Sequence, residues 1–346
     1  MLKKLTLNNF TVFSNAQLDF SKNINIIIGE NGQGKTHLLK VAYSIIAVQA
    51  KLQKIKQEPT KSYLQKAYAE KIVSVFKAET LGRLVKRKQG RDRCEISAFF
   101  SNEEQNCSFS FATSTKTDVK IDRINKIGEE FSPVYFPTRE LLTLYPNFSS
   151  IYENRYLEFE ETYYDTILLL GDLLSRGKRE DKAKEILDPL EEAMGGKINL
   201  DKTGRFYLAI PGKGNMEIPL VAEGLRKLAM VARLVATGTL LDKGCLFWDE
   251  PEANLNPKII KLIAKIILLL SKNGIQIFIA THSLFLLREL EILQHEDSFK
   301  ESNIAYFGLM SEQDSVIVEQ GKKFTDLSVL TLLDEELMQS SKILTL

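Results

Sequence analysis

Between Ile26 and His37 an apolar run breaks into glycines and then into a helical pattern: Ile26-Ile27-Ile28-Gly29-Glu30-Asn31-Gly32-Gln33-Gly34-Lys35-Thr36-His37. The spacing fits G-x-x-x-x-G-K-[ST], in which a strand turns into a helix around a polyphosphate. Gly29, Gly32 and Gly34 can take positive φ and let the loop amides turn inward on an anion. Binding contacts are expected from the whole turn, Gly29, Asn31, Gly32, Gln33, Gly34, Lys35, Thr36 and His37. Lys35 supplies a positive charge for β and γ phosphates, and Thr36 a hydroxyl for Mg²⁺. The helix that starts near Lys35 aims its positive end at the same place. Few other features commit a chain so firmly to an α/β fold.

With 346 residues, 44% of them hydrophobic, the chain can bury a substantial core. Lysine and arginine (46) nearly balance aspartate and glutamate (45), so any nucleic-acid surface has to be local. Cys94, Cys107 and Cys245 are widely spaced and form no C-x-x-C pair, which argues against a disulfide framework or a zinc site and for a cytoplasmic home. The longest apolar stretch, Ile259 to Leu270, carries Lys261 and Lys265 and is too short to span a bilayer, so no membrane role is expected. Met1-Leu2-Lys3-Lys4 leads into a strand, not into the apolar core of a signal sequence.

Along the chain, residues 3–28 read as β structure, followed by a helix from Lys35 to about Ala50 and a polar connection from Lys51 to Ser62. Leu64 to Ala78 is helical. Arg83, Lys86, Arg87, Lys88, Arg91 and Arg93 then form a basic cluster, read either as a solvated hairpin edge or as a phosphate-touching patch. Residues 94–122 alternate as two or three strands, and Pro133 to Phe136 is a short one. Tyr152 to Ala193 is helical and charged, notably from Arg176 to Asp181, and residues from about 140 to 200 read as an inserted helical lobe. Lys197 to Ile210 forms a strand pair turning at Thr203-Gly204. Beyond it come a helix from Val221 to Gly238, a strand from Cys245 to Trp248, a helix from Pro257 to Lys272 and a strand from Ile275 to Ala280. Strands at Asn303–Phe307 and Ser315–Glu319 and a helix from Phe324 to Ser340 close the pattern.

A phosphate-binding loop requires a carboxylate site, and Leu246-Phe247-Trp248-Asp249-Glu250-Pro251 supplies an apolar strand that ends in two acids. Asp249 is placed at Mg²⁺, and Glu250 at the attacking water. Ile277 to Ala280 likewise runs into Thr281-His282-Ser283, where an imidazole can donate to a γ-phosphate oxygen or hold the water.

These residues resemble the ABC-type ATPases. Gly29–Thr36 is similar to Walker A, Leu246–Glu250 to Walker B, Glu252-Ala253-Asn254-Leu255-Asn256-Pro257 to the D-loop and Thr281-His282-Ser283 to the switch histidine. The opening Leu7-Asn8-Asn9-Phe10-Thr11-Val12-Phe13 and the Glu-Asn-Gly-Gln-Gly wording of the loop narrow this to the RecF, SMC and OLD branch. Trp248 to Pro257 resembles the OLD-like bacterial ATPases in particular. The resemblance implies that a signature segment of one subunit covers ATP held by another. Its best match is Val221-Ala222-Glu223-Gly224-Leu225-Arg226-Lys227, with Ala222 where the family has serine; the same stretch also reads as a plain amphipathic helix. Ala222, Glu223 and Gly224 are thus expected at the partner's phosphates, with help from Arg226. The family's glutamine loop would fall at Thr138-Arg139-Glu140, which places Glu140 at the metal. Phe13 reads either as a core residue or as a neighbour of adenine.

The expected molecule is a single ABC-type ATPase head over residues 1–346, a P-loop NTPase with a mixed sheet and an N-terminal β portion. It takes ATP and Mg²⁺, with Lys35, Glu250 and His282 catalytic and Thr36, Asp249 and Glu140 at the metal. ATP closes a homodimer or higher homo-oligomer, and slow hydrolysis opens it. OLD proteins often carry a nuclease domain, for which the stretch after His282 is too short. The switch is therefore expected to act on a separate effector, a nuclease or toxin, as in antiphage defence. A RecF-like DNA-repair ATPase and a non-hydrolysing scaffold are the alternatives, and nucleic acid stays open as a partner.

Overall fold

The computed structural model describes residues 1–345 apart from 56–57, 88–89, 129–131, 155–157, 176–177, 242–243, 329–337 and 340. The N-terminal half opens with β1 (Leu2–Phe10), β2 (Phe13–Asp19) and β3 (Ile24–Gly29), then α1 (Lys35–Ile55) and α2 (Lys61–Phe76). Next come β4 (Arg93–Phe100), β5 (Cys107–Ala112), β6 (Lys120–Arg123) and β7 (Pro133–Phe136). Three helices follow, α3 (Tyr145–Glu153), α4 (Glu161–Leu170) and α5 (Lys178–Met194), and then β8 (Lys197–Leu200), β9 (Phe206–Ile210) and β10 (Gly214–Glu217). The remainder is α6 (Glu223–Ala236), β11 (Gly244–Asp249), α7 (Pro257–Lys272), β12 (Ile275–Thr281), α8 (Leu284–Gln294), β13 (Ile304–Glu312) and β14 (Ser315–Gly321).

Six strands form the central sheet in the order β14-β13-β3-β12-β11-β7. All neighbours are parallel except β13 and β14. Every residue of β3, β11 and β12 is buried, as expected for parallel strands covered on both faces. Side chains alternate between two cores. Ile26, Ile28, Leu246, Trp248, Ile277 and Ile279 face one, built with α6, α7 and α8. Ile27, Cys245, Phe247, Phe278 and Ala280 face the other, built with α1, α2 and the antiparallel sheet β2-β1-β4-β5-β6. A third, three-stranded sheet, β10-β9-β8, stands apart from the central one.

Helix ends follow local chemistry. Asn256 caps α7 by accepting from the Ile259 amide at 3.1 Å with Pro257 in the first turn, and Ser283 caps α8 by accepting from the Leu286 amide at 3.2 Å. Because of that second cap, α8 begins directly behind His282. The sequence pattern did not announce α8 or β10, and α1 runs past Ala50 to Ile55, since Leu52 is still buried. The helix expected from Phe324 instead begins as a single 3₁₀ turn, Phe324–Asp326; most of the rest of that stretch lies outside the described residues, as do Arg176 and Gly177 and the side chains through Asp181. No described helix is long and apolar enough to cross a membrane.

Candidate functional site

The sheet order brings three strand ends together. β12 lies between β3 and β11, with Thr281 beside Ile28 and Asp249 beside Ala280 in register. The carboxyl ends of open parallel sheets are where α/β proteins hold ligands.

In the loop after β3, Gly32 and Gly34 take φ of +83° and +89°, the left-handed region that glycine occupies at little cost. Gly29 does not; it is required for a different reason. A Cβ there would stand 2.6 Å from Gln33 Oε1, which accepts the Glu30 amide at 3.1 Å and braces the loop from inside. Lys35 is only 6% exposed, and its ammonium donates to the carbonyls of Gly29 (2.7 Å) and Glu30 (3.0 Å). Burial lowers its pKa, against the opposing pull of Glu250, Asp249, Glu252 and Glu30. Asn31 is exposed. Phe13 is fully buried, and it and Val12 lie directly under Gly34, which is the core placement.

The Thr36 hydroxyl donates to Asp249 Oδ2 at 2.8 Å, joining the first turn of α1, which follows β3, to the end of β11, a strand that is not a neighbour of β3. Burial pushes Asp249 up to about 6, although the Thr36 hydrogen bond opposes this, and Tyr135 OH lies 3.5 Å from the same oxygen. The next residue, Glu250, has φ +48°, a left-handed conformation uncommon for a non-glycine residue. That turn leaves its Oε1 3.2 Å from His282 Nδ1. The same imidazole nitrogen is 3.9 Å from Oε1 of Glu252, a buried acid that sequence reading took only as a letter of the D-loop. An acid two residues past Glu250 was the available signal.

The other expected residues divide. Glu140 is not brought to Thr36 or Asp249 by any described contact. Its carboxylate accepts from the Thr143 hydroxyl (2.6 Å) and amide (3.2 Å) and pairs with Arg226 Nε at 3.2 Å. Ala222 caps α6 without a side-chain hydrogen bond, and the Leu225 amide donates to the Ala222 carbonyl at 2.9 Å, so the Glu223 and Gly224 amides are the ones left to meet an anion. Glu223 accepts from Asn254 Nδ2 at 3.0 Å, the buried Lys227 donates to the Ala253 carbonyl at 2.5 Å, and a Cβ on Gly224 would lie 3.1 Å from Leu255 Cδ2. The segment 222–227 is thus bolted to the D-loop of its own chain.

His37 packs on Phe76 with ring centroids 5.6 Å apart, and burial, aided by Lys40, lowers its pKa. Its Nδ1 is buried and has no partner among the described residues. It lines a cleft of about 570 Å³ beside the loop, together with Thr11, Val12, Gly32, Arg87 and Gln313. Of the basic cluster, Arg83, Lys86 and Arg87 all line this cleft. Arg83 pairs with Glu79 at 3.0 Å, and Lys86 is buried, donating to the carbonyls of Val12 and Asp314. Arg87 faces the cleft, Arg93 donates to Ser110, and Lys88 lies outside the described residues.

Residues 91–288 match the protein family described as "AAA domain, putative AbiEii toxin, Type IV TA system". Two relatives named DNA replication and repair protein RecF, from Exiguobacterium sp. and Oenococcus oeni, are each 48% identical over 42 residues. That is 12% of this chain and 11% of each relative, so the chain matches only a small part of their length. An SMC head bound to the C-terminal winged-helix domain of ScpA superposes with a TM-score of 0.56 at 15% identity, over 92% of this chain and 97% of the other. The SMC head from Pyrococcus furiosus with an extended coiled coil, bound to the C-terminal domain of ScpA, gives 0.55 at 14% identity, over 96% and 98%. At such identities the likeness is one of fold, and it makes the α/β architecture with its mixed sheet that of an ABC-type ATPase head.

Proposed function

The chain belongs to that AAA-domain family, and we propose that it is an ABC-type ATPase of the RecF/SMC group that hydrolyses Mg²⁺·ATP as a dimerisation switch for a separate effector. One observation carries the reading: three buried parallel strands end side by side, delivering Lys35 with Thr36, Asp249 with Glu250, and His282 to one edge of the sheet.

Lys35 exchanges its two loop carbonyls for β- and γ-phosphate oxygens, while the amides from Gly29 to His37 and the start of α1 hold the remaining charge. The Thr36 and Asp249 oxygens fit a magnesium ion, since 2.8 Å is close to the separation of about 2.9 Å between adjacent ligands of an octahedron with bonds near 2.05 Å. When bound, the ion neutralises phosphate charge. Glu250 accepts the proton of the attacking water as its oxygen bonds to the γ-phosphorus and the bond to the β-phosphate oxygen breaks. His282 directs Nδ1 at Glu250 and turns Nε2 outward; donating from Nδ1 to Glu250 and from Nε2 to the γ-phosphate together takes the imidazolium form, in which both nitrogens carry a proton. The open first turn at Ala222, Glu223 and Gly224 covers ATP on a second copy, so the sites are completed in a homodimer or higher oligomer.

The Trp248–Pro257 wording supports an OLD-like, antiphage setting, and a family described by a toxin and a type IV TA system supports a nuclease or toxin as the effector. Light scattering of Glu250→Gln with Mg²⁺·ATP tests the switch: a trapped dimer and lost phosphate release are expected. A variant that stays monomeric at saturation, or turns over like the parent, refutes it. The RecF-like reading rests on the short matches to DNA replication and repair proteins and on the exposed Arg87 and Arg91. It requires duplex binding that weakens steeply with salt and falls in Arg87→Ala.

A further inference from the structure

His282 is 43% exposed in its side chain, so packing alone does not orient the ring. Its flanking backbone is held instead. Glu252 Oε1 accepts from the Thr281 hydroxyl at 2.6 Å and from the His282 amide at 3.4 Å, and the Thr281 oxygen accepts in turn from the Ser283 amide at 3.0 Å. A relay therefore runs from Ser283 N–H through the Thr281 hydroxyl to Glu252, bracketing the histidine on both sides. Glu252 is 8% exposed, and its Oε2 is buried and accepts no hydrogen bond from the described residues. An acid in that state, close to a second carboxylate at Glu250, is costly to keep if its only task is to fill space.

We propose that Glu252 is a positioning residue of the hydrolytic site, fixing the end of β12 so that His282 Nδ1 meets Glu250 while Nε2 stays free for substrate. This rests on the ATP-hydrolysis reading above. Glu252 touches neither phosphate nor water; it acts through His282.

The test uses the full chain with Mg²⁺·ATP and ¹⁵N-labelled histidine. Glu252→Ala should lower kcat by about tenfold or more while KM stays within about twofold. Glu252→Gln, whose amide oxygen still accepts from Thr281, should recover to within about threefold of the parent. On a His282→Ala background, Glu252→Ala should cost nothing further, because both changes remove the same interaction. Independently of turnover, the ring signals of His282 should move or broaden in Glu252→Ala while those of His37 and His295 stay in place. If Glu252→Ala fails to fold, Thr281→Val breaks the same relay from the other side and should reproduce the kcat loss and the spectral change. An equal loss on both backgrounds, a glutamine variant as slow as the alanine one, or unmoved His282 signals would overturn the assignment. Should the parent bind ATP without turnover, the hydrolysis reading fails, and the histidine spectra still decide the positioning.

Discussion

Replacing Asp249 by asparagine should stabilise the nucleotide-free protein at neutral pH while abolishing its response to Mg²⁺·ATP. Burial raises the carboxyl from 3.8 to about 6, so between those values the folded chain holds a proton that the unfolded chain has released. Stability therefore falls as pH rises through this window, and the full penalty applies above it. At 1.36 kcal/mol per pH unit the penalty is about 3 kcal/mol at pH 7.5, shrinking to about 1 kcal/mol at pH 4.5. Asparagine keeps an oxygen for the Thr36 hydroxyl and has no charge to desolvate. In thermal melts without nucleotide, Asp249→Asn should melt about 3–6 °C above the parent at pH 7.5, with the gap narrowing on acidification. Saturating Mg²⁺·ATP should then raise the parent's melting point and leave the variant's in place. A variant no more stable than the parent at pH 7.5, or an offset that ignores pH, would refute burial as the source of the raised pKa.

Further outcomes follow from single contacts. Gly34→Ala forces a side chain into φ +89° with its Cβ 2.7 Å from Val12 Cγ2, and should cost about 2–4 kcal/mol in urea unfolding. Arg226→Ala strands the buried Glu140 carboxylate and should cost about 3 kcal/mol, most of it regained in the double variant with Glu140→Leu. Lys35→Ala should abolish Mg²⁺·ATP binding by calorimetry while leaving the folded far-ultraviolet dichroism intact, since the ammonium's hydrogen-bond partners among the described residues are two carbonyls of the loop and no side chain.

Legibility tracked distance along the chain. The Gly29–Thr36 loop was readable because its requirements, a buried strand, glycine conformations and a helix start, fall within a dozen residues. Asp249 and His282 were placed at strand ends because an uninterrupted apolar run announces a strand covered on both faces. The partners of Glu140 and Glu252 were not readable for one reason: each acid lies in a loop, and what it holds depends on which distant group faces it. Arg226 faces Glu140 from 86 residues away along the chain, and Thr281 faces Glu252 from 29. The basic cluster was not readable as one surface because Arg83, Lys86 and Arg87 come to a single cleft while Arg93 turns to Ser110.

Sequence by itself determined the glycine turn between β3 and α1 and the acidic and imidazole strand ends, because each is encoded in backbone freedom and side-chain period over a few residues. Tertiary structure alone decided that Thr36 meets Asp249 across an intervening strand, that Glu250 meets His282, and that the segment after Ala222 locks onto its own D-loop. Those pairings follow from the strand order β3-β12-β11, which is set by how the two cores close over the whole sheet and leaves no trace in any local pattern.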